Sequence, residues 1–137
     1  MSNVTDYQIT EEGPRNAVIK LTGALDSSDV YLRPAVALSM FSSNEPNARL
    51  VGLRMDLIEF SVGNALEVLL EWQANTPQQI FNLTRSGKIH AYGYGGFVPD
   101  QIRSGYTGDI NLRTVGYPPG TVQVYTIVLE LIKLYRA

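Results

Sequence analysis

The chain has 137 residues, a formal charge of -2 and no cysteine. That length suits one domain with its own apolar core. Without thiols there is no disulfide framework, thiolate nucleophile or Cys-held metal, and the mixed charges form no basic patch for nucleic acid. No apolar run approaches the roughly 20 residues that span a bilayer. The N-terminus lacks the basic and apolar regions of a secretory signal. The expectation is a soluble protein made in the cytoplasm, with no nucleic-acid or membrane partner.

Residues 1–16 are polar and interrupted at Gly13-Pro14, which reads as an N-terminal arm or a short edge strand ahead of a single domain at 17–137. Ala17–Gly23 alternates as a strand, and Asp26–Asp29 is a cluster of short polar side chains that favours a turn. Val30–Phe41 is strand-like, with Pro34 placing part of it at an edge or a bulge. Arg49–Phe60 alternates, with Val51, Leu53, Met55 and Leu57 on one face.

Ala65–Trp72 carries conflicting signals. Leu66, Val68, Leu70 and Trp72 alternate with Glu67 and Glu71 as on a half-buried strand, whereas Asn64 with Glu67 is a capping box ahead of good helix formers. Propensity slightly favours helix. Gly63-Asn64, lying between two alternating runs as in a hairpin, tips the reading to strand. Strands are further expected at Gln79–Thr84, Lys88–Tyr92 and Asp109–Thr114, with a tight turn at Ser86-Gly87 and a long Gly- and Tyr-rich loop at Gly93–Gly108.

The segment Thr121–Ala137 holds apolar residues on both faces of a strand. Gln123, Tyr125, Ile127, Leu129, Leu131 and Lys133 point one way; Val122, Val124, Thr126, Val128, Glu130, Ile132 and Leu134 point the other. Both faces need cover, one from the core and one from a second layer or another subunit. Seven or eight short strands with regular turns describe an all-β fold, a single antiparallel β-sandwich of jelly-roll-like form with an N-terminal arm.

No constellation of catalytic side chains emerges. His90 is the only histidine, and a lone imidazole is a poor start for a base or a metal site. Glu67 and Glu71 would stand about 13 Å apart on a strand, too far for a glycosidase pair, so a solvated face is expected. The glycines at 93–108 lack the context of a phosphate loop, and Asp109 reads as a turn residue because one carboxylate does not make a Ca²⁺ cage. The expectation is therefore no enzyme, no catalytic or metal site and no cofactor. Tyr92, Tyr94, Phe97, Tyr106 and Tyr117 gather in loop regions with Trp72 nearby in sequence, as contacts for a partner protein or stacking platforms for sugars.

The order of segments resembles small β-sandwich proteins that decorate or cement the capsids of tailed bacteriophages. It comprises Val68–Trp72, a short strand, Ser86-Gly87, a Gly-rich loop, Thr107–Gly116 and the terminal Val124–Lys133. The resemblance covers roughly residues 49–134 and leaves the N-terminal 28 uncovered. It implies a non-enzymatic component of the virion exterior that forms a homo-oligomer, often a trimer, and bridges neighbouring subunits of the major capsid protein. Under this reading the interface residues are Tyr92, Tyr94, Phe97, Arg103, Tyr106, Arg113, Tyr117, Val128 and Ile132, with Arg33 and Arg54 as further rim contacts and the arm ordering on binding. The alternative is a carbohydrate- or receptor-binding module of a phage tail or fibre.

Overall fold

Alternating apolar and polar side chains, with Gly, Asn and Pro between the runs, fold this chain into strands and short connections. The computed structural model describes residues 3–41, 48–91, 95–118 and 120–136. These form nine strands: β1 (Val4–Glu12), β2 (Asn16–Leu25), β3 (Tyr31–Val36), β4 (Arg49–Val62), β5 (Glu67–Trp72), β6 (Gln78–Thr84), β7 (Ser86–His90), β8 (Ile110–Val115) and β9 (Gln123–Arg136). One turn of 3-10 helix, Leu38–Met40, follows β3. Among the described residues no helix is long and apolar enough to cross a membrane.

The strands build two antiparallel sheets, ordered β1-β2-β9-β4-β7 and β3-β8-β5-β6, so the fold is an all-β sandwich. From β2 onward the pairing is nested: β2 with β9, β3 with β8, β4 with β7, and β5 with β6. Most connections cross from one sheet to the other. The link at Gly63-Asn64 is therefore no hairpin, because β4 and β5 lie in opposite sheets. The strand reading of 65–72 holds all the same, with β5 paired to both β6 and β8. Ser86-Gly87 opens β7 instead of forming the turn; that role falls to Arg85 at φ 61, between sheets.

The core is the slab between the sheets. Tyr125, Ile127, Leu129 and Leu131 of β9 fill it together with Ile19 and Leu21 of β2, Leu70 of β5 and Leu112 of β8. The odd-numbered face of β9 is thus the inner one. In β4 the register shifts between Met55 and Leu57, so the inward set passes from Leu53 and Met55 to Ile58 and Val62. A simple alternation misses this, because one extra residue flips every later side chain to the other face.

Of the two readings for residues 1–16, the edge strand is the observed one. Val4–Glu12 pairs along β2 as β1, with a bulge between Ile9 and Glu11, so these residues are part of the sheet. Pro34 sits in the edge strand β3, where the register breaks between Leu32 and Val36, as a residue without a ladder donor requires.

Candidate interaction surface

The outer face of the five-stranded sheet is the surface that the core leaves over. Its central strand, β9, presents Val124, Thr126, Val128, Glu130 and Ile132 outward; Val124 is 56 % exposed, and Val122, just ahead of the strand, 61 %. Register fixes their neighbours. Val124 lies across from Ala24, which lies across from Val4, giving an apolar row over three strands. Val128 lies between Lys20 and Glu59, and Glu59 faces Lys88. Ile132 lies between Asn16 and Arg54. Thr22, Thr126, Ser61 and Ser86 form a row of small side chains. Beside them opens a depression of about 500 Å³ bounded by Glu59, Lys88 and Val128.

The other sequence-predicted contacts do not converge on this face. Phe97 pairs with Met55 through two backbone hydrogen bonds of 2.9 and 2.8 Å, and its ring stands 5.9 Å from Phe81. Tyr106 turns inward: its hydroxyl donates to the Val51 carbonyl at 2.8 Å, and burial, with a smaller effect of Asp109, pushes its pKa up to about 12. Replacing Tyr106 with Phe should therefore cost about 1 kcal/mol in denaturant unfolding through the lost hydrogen bond. A cost below a few tenths would mean that the bond is not needed to hold the loop. Arg103 is committed to its own loop, donating to the Thr76 carbonyl at 3.0 Å beside Asp100. Tyr117 closes the opposite end, its hydroxyl on the Thr121 carbonyl at 2.6 Å. Tyr92 and Tyr94 lie outside the described residues. Trp72 is buried in the core, so its ring is no platform for stacking.

Arg113 belongs to the outer face of the four-stranded sheet. It and Arg33 lie against the Tyr31 ring, 5.4 and 5.2 Å from its centroid. Below them Glu71 is buried instead of solvated, with Arg113 3.9 Å away and Asn111 directly across the ladder. The strand period placed Glu71 correctly on the outer face; it could not show that neighbouring side chains cover that face. Glu67 donates nothing and accepts from Asn82 at 2.8 Å.

Three polar groupings were not singled out from the sequence. Arg54 grips Asp56 with two bonds of 2.8 and 3.0 Å, which raises the guanidinium pKa further and ties up a side chain expected at a rim. Asp109, just ahead of β8, accepts from the Leu38 amide at 2.9 Å and so pins the 3-10 turn. Lys133 is buried on the inner face of β9 and donates to Glu12 at 2.8 Å. A signal for this pair existed in the alternation, which aligned Lys133 with Leu131 and Leu129. Among the described residues no group of three or more His, Cys, Asp or Glu side chains could hold a metal ion. A scan against protein-family models finds no match to this chain, and a search of curated proteins finds none either.

Proposed function

We propose that the chain is a bacteriophage virion protein that decorates the capsid exterior and holds neighbouring subunits of the major capsid protein together, without catalysis. The observation that carries this reading is the outer face of β9. Its apolar row Val4–Ala24–Val124 spans three strands and is not used by the core. Contiguous exposed apolar surface of this kind marks interaction sites. Lys20, Glu59 and Lys88 nearby supply the polar rim that such interfaces have.

The nested strand pairing supports a jelly roll, an architecture of two Greek keys that recurs in viral capsid and lectin domains. Fold alone does not assign function, so the weight rests on the surface. A homo-oligomer would present several copies of the face at once, turning weak contacts into avid binding. The glycan-binding alternative is less well supported, because Trp72 is buried and Tyr106 turns its hydroxyl inward.

Purified protein should bind empty, expanded capsids of its source phage saturably. Val124→Lys should weaken that binding at least about tenfold, since a charge would enter an apolar contact, while unfolding stability stays within about 0.5 kcal/mol as for exposed positions. Binding to no capsid, or unchanged binding by Val124→Lys and Val128→Lys together, would refute the reading.

A further inference from the structure

At one end of the five-stranded sheet two like charges face each other. Arg49 opens β4, Arg136 closes β9, and the two stand directly across the ladder. Cations in opposite positions repel and destabilise a strand pair. Arg54, Arg103, Arg113 and Lys133 each lie beside a carboxylate. Among the described residues Arg49 and Arg136 have no such partner, in a chain whose net charge is -2.

Between this pair and the loop that joins β7 to β8 opens a cleft of about 370 Å³, a size suited to a small molecule. Its polar side chains are left as donors. Arg136 donates to Gln101 Oε1 at 3.2 Å, which steadies the guanidinium and leaves the Gln101 amide nitrogen to donate. Thr107 Oγ1 accepts from the Asp109 amide at 3.3 Å, so its own proton remains to be given. The Tyr106 hydroxyl is committed to the Val51 carbonyl. Burial and Asp109 raise the Tyr106 pKa and Arg136 opposes them, which places the guanidinium on the cleft side of the ring. None of the described lining residues is acidic, and the nearby Asp109 carboxylate is held by the Leu38 amide. Leu38, Leu50 and Val51 give the cleft an apolar wall.

We infer that this cleft binds a small phosphate monoester, its phosphate seated between Arg49 and Arg136. Two guanidiniums match a group that carries nearly two negative charges at neutral pH, and their planar forks fit its oxygens. Gln101 and Thr107 add neutral donors to the same group, while the apolar wall takes the organic part. A bound dianion turns the repulsion across the ladder into attraction to a common centre. The inference needs nothing of the capsid reading, because it concerns a different surface and is tested with purified protein alone.

Phenyl phosphate, titrated into the protein at constant ionic strength, should bind saturably by calorimetry. Phenyl sulfate, with one charge in place of two, should bind at least about fivefold more weakly, and inorganic phosphate at least about threefold more weakly for want of the apolar contact. Arg49→Gln and Arg136→Gln should each lose at least about tenfold in affinity with a charge-assisted hydrogen bond. Arg85→Gln, whose carbonyl meets Val62 at the opposite end of β4, should bind as wild type does. Saturating phenyl phosphate should raise the unfolding midpoint of wild type but not of Arg49→Gln, and without ligand that variant should melt no lower than wild type, since it removes a repulsion. Absence of saturable binding overturns the inference, as does an equal loss in Arg85→Gln, which signals attraction to net charge alone. Equal affinities for phenyl phosphate and phenyl sulfate overturn the match of two charges to two guanidiniums.

Discussion

Glu12→Gln should destabilise the protein by about 3 kcal/mol in urea or thermal unfolding, because it places a neutral amide against a buried ammonium. The Lys133 side chain is 0 % exposed and its Nζ lies 2.8 Å from Glu12 Oε2, whereas Glu12 keeps some contact with water. Removing one partner of such a pair costs more than the pair itself contributes, since the remaining charge stays in a poorly solvated place. Lys133→Met should then be much milder, within about 1 kcal/mol, because the methionine stem fills the same space between Leu53 and Leu131 without a charge. Adding salt should not rescue Glu12→Gln, since screening acts weakly on buried charges. If both substitutions cost the same small amount, the pair is not a determinant of stability. The link also has an architectural consequence: it ties the end of the edge strand β1 to the central strand β9, across β2.

Much of this architecture was legible as alternation, and the failures share one cause. Val122, Val124, Tyr125, Thr126, Ile127 and Val128 announced a strand, because branched and aromatic side chains suit a pleated surface, but they left open which face meets the core. Ala65–Trp72 read as strand once its neighbours were weighed, although its propensities leaned to helix. What alternation could not supply was the identity of the neighbouring strand. Gly63-Asn64 has the chemistry of a hairpin turn, yet it carries the chain to the other sheet. In β4 the bulge at Asp56 exchanges the faces, a one-residue effect that no period of two contains. At the surface, alternation put Val128 and Ile132 on one face of the strand; the structure makes that face the one turned away from the core. It grouped Phe97, Arg103, Tyr106 and Tyr117 by composition; in space each serves its own loop or strand end. Tyr106 illustrates why: a phenol in a Gly-rich loop has the same sequence signature whether its hydroxyl meets a partner or, as here, the Val51 carbonyl.

Gly23→Ala should cost about 3 kcal/mol, a large effect for one methyl, because a Cβ there would overlap the edge of the Tyr125 ring. Gly23 lies directly across from Tyr125 in the β2–β9 ladder, and the missing side chain is what lets the ring lie over β2 in the core. The two positions should therefore be coupled: in a Tyr125→Leu background, Gly23→Ala should cost at least about 1 kcal/mol less. Additive costs would show that the ring does not need the glycine. Tyr125 also carries a buried hydroxyl with no hydrogen-bond partner among the described residues. Tyr125→Phe should accordingly stabilise the fold, by about 1 kcal/mol, through relief of a desolvated polar group. Burial pushes the Tyr125 pKa up to about 12 from its ordinary 10.0. The folded state thus holds the phenol proton more tightly than the unfolded chain does. Its contribution to stability is fully present below pH about 10 and is lost as pH rises towards about 12. Tyr125→Phe should shallow the alkaline loss of stability in that window, leaving the share due to Tyr106, whose pKa is raised to the same level. An alkaline unfolding profile identical in wild type and Tyr125→Phe would place the ring hydroxyl in contact with solvent.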